Sequence, residues 1–146
     1  MINLSKFAER LDGLMFEHNL NGKQLACVTG INSTTVTRYL NCKHVPSVKN
    51  LVILADYFNC STDFLLGLEE ENQSLKFKPQ PPFKDRIVEL VKYCNLSEYA
   101  FYKKFAIPES SYFEWKGGFS EPTLETVKKL ADKLDRRVDF IIGREN

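Results

Sequence analysis

The chain has 146 residues, enough for one medium domain or two small ones. At 43% hydrophobic and 27% charged its composition is that of an ordinary globular protein, and a formal net charge of +1 lacks the global basicity that would announce nucleic acid. No apolar run approaches the roughly 20 residues of a membrane span and Met1 leads into no signal-peptide pattern, so a cytoplasmic protein with no membrane partner is expected.

Taken in chain order, Phe7, Leu11, Leu14 and Met15 fall at helical spacing and predict a first amphipathic helix. Asn21 suits the N-cap of a second helix running through Thr29. Gly30-Ile31-Asn32 predicts a tight turn in which the glycine takes positive φ and ends that helix. A third helix is expected from Ser33 to about Asn41. Pro46-Ser47 opens a fourth, with Val48, Leu51, Leu54, Ala55 and Phe58 inward. Asp63 to Gly67 makes a short last helix, capped by Ser61 or Thr62. No segment alternates with period two, so the class is all-α. Cys27, Cys42, Cys60 and Cys94 form no Cys-x-x-Cys pair, and His44 beside Cys42 is the only close Cys/His pair. Reduced thiols are expected, with no metal and no cofactor.

Glu69-Glu70-Glu71-Asn72-Gln73-Ser74 and Lys78-Pro79-Gln80-Pro81-Pro82 read as a linker, acidic first and then stiff and extended. Beyond it the pattern recurs. Pro46 and Pro122 coincide at an offset of 76 (122 less 46), and the same offset pairs Phe7 with Phe83, Arg10 with Arg86, Leu14 with Leu90 and Ile31 with Ile107. Leu54-Ala55-Asp56 meets Leu130-Ala131-Asp132, and Asp63-Phe64 meets Asp139-Phe140. About thirteen identities in roughly sixty ungapped positions point to a tandem duplication. The expected organisation is a domain at 1–68, the linker at 69–82 and a divergent second domain at 83–146, each of about five helices.

The chemistry concentrates between Gly22 and Asn41. Leu25-Ala26, Gly30-Ile31, Val36 and Tyr39 have the spacing of two helices packed across a short turn, with Ala26 at the closest approach. With those side chains inward, the third helix shows Ser33, Thr34, Thr37, Arg38 and Asn41 to solvent. Together with Leu20, Asn21, Asn32, Pro46 and Ser47, this run resembles the phage-repressor (Cro/Xre-type) helix-turn-helix family over the whole first copy, and so implies tandem lambda-repressor-like domains. The resemblance implies that the third helix enters the major groove of double-stranded DNA, with Asn32, Ser33, Thr34, Thr37 and Arg38 at base edges. Asn21, Lys23, Asn41 and Lys43 would then lie at flanking phosphates. It further implies a transcription regulator, expected to be a repressor, working as a homodimer on half-sites about one helical turn apart. Gly22 departs from the glutamine the family often has there, and Gln24 is expected to face elsewhere.

In the second copy Leu96-Ser97, Phe101-Tyr102, Ala106-Ile107, Tyr112 and Trp115 keep the frame, Ser97 is placed to cap, and Pro108 suits a first helical turn. The contact face becomes Glu109, Ser110, Phe113 and Glu114, whose carboxylates repel phosphate. Tyr102 replaces Ala26, which predicts spread helices or a ring turned outward. Tyr102, Phe113 and Phe119 are the expected partner-binding surface. The Lys128-Lys129 pair reads as a solvated face. Two rival readings keep the fold: a protein-interaction or antitoxin module, or both copies gripping adjacent half-sites. No catalytic constellation and no ligand-sensing domain stands out, so neither an enzyme nor a small-molecule ligand is expected.

Overall fold

The computed structural model describes residues 2–72 and 76–145, and is helical with no strand among them. Gln73, Ser74 and Leu75 of the expected linker, like Met1, lie outside the described residues. The chain divides into two compact units, Met1–Lys76 and Phe77–Asn146.

The first unit contains α1 (Leu4–Glu17), α2 (Gly22–Thr29), α3 (Ser33–Leu40), α4 (Val48–Phe58) and α5 (Thr62–Leu65). Each start has a side-chain cap that satisfies an otherwise orphaned N–H: Asn3, Asn21, Asn32, Ser47 and Ser61. At α2 the cap is reciprocal. Asn21 Oδ1 accepts the Gln24 N–H at 2.8 Å while Gln24 Oε1 accepts the Asn21 N–H at 2.8 Å. Gly30 ends α2 at φ 76°, a left-handed conformation open to glycine at little cost. Leu11, Leu25, Val36, Leu51, Leu54 and Leu65 are removed from solvent and form the core, each worth about 1.5–3 kcal/mol of burial. Phe7 meets Tyr39 edge-on with centroids 5.5 Å apart, tying α1 to the back of α3.

The second unit contains α6 (Phe83–Tyr93), α7 (Glu98–Lys104), α8 (Glu109–Gly117), α9 (Leu124–Leu134) and α10 (Val138–Ile142). Its internal geometry repeats that of the first. Positive φ occurs at Asn19, Gly30, Cys42, Asn59 and Gly67, and again 76 positions on at Asn95, Ala106, Gly118, Asp135 and Gly143. Arg10 Nη1 donates to the Phe64 carbonyl at 3.0 Å with its guanidinium 4.3 Å from the Phe64 ring centroid. Arg86 Nε donates to the Phe140 carbonyl at 3.2 Å, 4.8 Å from that ring. Phe83 and Trp115 cross edge-on at 5.8 Å where Phe7 and Tyr39 do in the first unit.

The ends of the expected linker are attached to their own units. The Glu69 carbonyl accepts a bond from Arg10 Nη1 at 2.8 Å. Lys78 N–H donates to the Arg144 carbonyl at 2.7 Å, and Pro81 is so close to Gly143 that a Cβ there would fall 2.6 Å from its Cγ. Two local expectations are corrected. Pro108 is the N-cap of α8, outside its first turn, and gives that helix no side-chain cap. Of the two alternatives for Tyr102, spread helices or a ring turned outward, the second is overturned: the side chain is buried, its ring taken into an aromatic cluster.

Candidate nucleic-acid interface

The frame described above fixes which side of α3 faces out. Val36 and Tyr39 are buried, and Asn50 Nδ2 donates to the Tyr39 hydroxyl at 3.0 Å, so the helix cannot roll without losing both contacts. Asn32, Ser33, Thr34, Thr37 and Arg38 are all exposed as a result. Their hydrogen-bonding capacity is partly committed. Asn32 Oδ1 accepts the Thr34 N–H at 2.8 Å, leaving the Nδ2 donors for a ligand; a bidentate adenine contact would require the cap to open. Thr37 Oγ1 donates to the Ser33 carbonyl at 3.0 Å, so it offers DNA an acceptor and a methyl group. Arg38, in the last turn of α3, keeps its planar fork of donors toward solvent.

The phosphate candidates surround this face. Asn21 and Lys23 are exposed at the start of α2, while Asn41 caps the C-terminus of α3 and Lys43 follows it, its N–H on the Arg38 carbonyl at 2.8 Å. Gln24 does not face elsewhere: its side chain folds back onto Asn21, and its Nε2 remains at the same helix start. A further signal lies in the local distribution of charge. No Asp or Glu occurs between His18 and Ala55, while Lys23, Arg38, Lys43 and Lys49 all do, and each of these four is exposed. A local cationic field is thus present that the whole-chain charge conceals, and it adds Lys49, at the start of α4, to the phosphate candidates.

The corresponding surface of the second unit is built differently. Glu109, Ser110, Phe113 and Glu114 are exposed on α8, and the stretch matching the acid-free one carries Glu98, Glu109, Glu114, Glu121 and Glu125. Glu114 Oε2 accepts from Ser120 Oγ at 3.2 Å. Glu98 pairs with Lys116 Nζ at 2.7 Å, and that bond holds its carboxyl below the usual carboxylate range. Burial, with Glu98 nearby, pushes the Tyr112 hydroxyl up to about 12. Tyr102, 5% exposed, sits with ring centroids 5.5 Å from Tyr99, 5.6 Å from Tyr112 and 6.2 Å from Phe113. Of the three residues expected to form a partner surface, Tyr102 is therefore interior, while Phe113 and Phe119 are 47% and 86% exposed. Tyr99, at 63%, joins Phe113 as the exposed edge of the cluster. Among the described residues no group of three or more His, Cys, Asp or Glu could hold a metal, and no helix is long and apolar enough to cross a membrane.

Residues 10–71 match the family profile of the Cro/C1-type HTH DNA-binding domain, a span contained in the first unit. The chain is also similar to the HTH-type transcriptional regulator AnsR of Bacillus subtilis (strain 168), at 36% identity over 61 residues. That similarity covers 42% of this chain and 53% of AnsR, so the chain spans about half the length of that curated relative. No solved structure matches. The two similarities therefore support a Cro/C1-type helix-turn-helix DNA-binding domain at residues 10–71.

Proposed function

We propose that the protein is a sequence-specific transcription regulator, acting as a repressor in the cytoplasm, and that α3 of the first unit is the element that reads DNA. The observation that carries this reading is the exposed face of Ser33, Thr34, Thr37 and Arg38, set in a 38-residue stretch without an acid. In this reading Arg38 donates to guanine O6/N7, the Thr37 methyl meets thymine, and Asn32 donates through Nδ2. Lys23, Lys43 and Lys49, with the amides of Asn21 and Asn41, hold the flanking phosphates. Repression follows by occlusion: a protein seated on its operator excludes polymerase from the same groove.

The second unit is, in this proposal, a diverged tandem copy whose role is to hold a partner, foremost a second copy of the chain. The shared positive-φ positions and the repeated arginine–phenylalanine contact support common descent. Exposed Tyr99, Phe113 and Phe119 support an apolar contact in place of a DNA contact. Selection of bound sequences from random DNA tests the principal reading. The wild-type protein should enrich one short motif, and Thr37→Ala/Arg38→Ala should lose it; enrichment by neither protein defeats the assignment. Sedimentation of the full chain and of Phe113→Ser tests the partner role: a dimer that Phe113→Ser dissociates is expected, and a wild-type monomer at high concentration removes self-association.

A further inference from the structure

The face of the second unit between α8 and α9 holds a cavity of about 320 Å³, its rim carrying Ser111, Thr126, Lys129 and Lys133. Its floor is apolar, since Phe105, Ile107, Trp115 and Leu130 are all buried side chains. Its polar groups are two ammonium groups and two hydroxyls, and no carboxylate is among the lining residues. Lys129 and Lys133 stand one helical turn apart on α9, where like charges repel. The neighbouring acid Asp132 is held by Lys128, which leaves it bonded on the adjacent face. In the first unit the same two positions are Ile53 and Tyr57, and Asn50 bonds Tyr39 where Thr126 adjoins Trp115. The lysine pair over an apolar floor is therefore a property of the second unit alone.

We propose that this cavity binds a small organic acid with a single-ring or similarly compact apolar body, its carboxylate between Lys129 and Lys133 and its body against Trp115, Phe105 and Leu130. The volume lies at the lower end of the range for ligand sites, which suits one ring and a short side chain and excludes a nucleotide or a long acyl chain. An anion between the two ammonium groups relieves their mutual repulsion and gains charge-assisted hydrogen bonds, while the buried floor takes the apolar part out of water. A ligand there would make the second unit a sensing element, contrary to the expectation that none exists. The proposal goes beyond the DNA-reading assignment and is tested without DNA.

Trp115 is the chain's single tryptophan and lines the cavity, so its emission is a built-in reporter. The full-length protein is titrated with 3-phenylpropionate, with its neutral counterpart 3-phenylpropan-1-ol, and with 3-phenylpropionate against Lys129→Ala/Lys133→Ala. Both lysines are exposed, so the double variant keeps the fold, which circular dichroism verifies. A saturable change in Trp115 emission with the acid is expected, and affinity at least about tenfold weaker for the alcohol and for the double variant. No saturable change with the acid overturns the proposal. So does equal affinity for the alcohol, or an affinity unaltered by the double substitution.

Discussion

α3 and α8 hold matching places in their units but expose opposite chemistries. Both follow a residue in left-handed backbone, Gly30 or Ala106, by the same interval, and both turn an aromatic side chain, Tyr39 or Trp115, onto a phenylalanine of the unit's first helix. Outward, α3 presents hydroxyls and an arginine, and α8 presents two glutamates and a phenylalanine. Scaffold and surface chemistry therefore occupy separate residue sets. The inward set is constrained by packing, where one lost methylene is felt. The outward set is constrained only by what it must touch.

Unfolding one unit at a time should separate the two helices most strongly. Leu54 and Leu130 are buried equivalents on α4 and α9, and alanine at either should cost about 2–5 kcal/mol of its own unit's stability. In denaturant melts read alongside DNA binding, Leu54→Ala should abolish binding, whereas Leu130→Ala should leave a DNA-competent first unit. Equal loss from both would show that reading DNA needs the two units together. Next in size, Arg38→Ala should weaken operator binding by about 1–3 kcal/mol, while Glu114→Ala should leave it unchanged, both measured by gel shift at one fixed salt concentration.

A smaller effect lies in the turn that ends each of these helices. Cys42 and Gly118 both have positive φ, at 58° and 79°, but only the second is glycine. Cys42→Gly should therefore raise the thermal stability of the first unit, by about 1 kcal/mol, since left-handed backbone disfavours any Cβ. Gly118→Ala should lower that of the second, where a Cβ would also press to 3.2 Å from Lys84 Cδ. Smallest is the Glu98–Lys116 pair, both partners partly exposed. Because Glu98 is held below its ordinary value of 4.5, its stabilisation is fully present above that pH and is lost as pH falls through the lower folded value. A difference of only a few tenths of a kcal/mol is expected between wild type and Lys116→Ala, absent in acid and reduced by salt.

Much of this was legible in the sequence because it is carried by spacing. The helix-forming pattern, the Asn21 and Ser97 caps, the Gly30 turn and the offset that aligns Pro46 with Pro122 are all one-dimensional signals. What escaped depends on side chains meeting across the fold. Tyr102 could be read as too large for Ala26's place, but not as a ring accommodated among Tyr99, Tyr112 and Phe113. Gln24 completes a capping box only when its side chain turns back. Lys129 reads in the sequence as part of a solvated face, but Phe105 and Ile107, over twenty residues earlier in the chain, supply the floor beneath it and Lys133. Cys42 in left-handed backbone breaks the preference that a sequence reading relies on.

In the proposed function DNA is read by α3 and not by α8, and amide-resolved NMR of the full chain, titrated with its selected operator, distinguishes the two helices. Large shift changes are predicted at residues 32–41 and at the α2 N-terminus around Asn21 and Lys23, with those at 108–117 unmoved. Changes on α8 of comparable size, or a first unit left unperturbed by bound DNA, would contradict it.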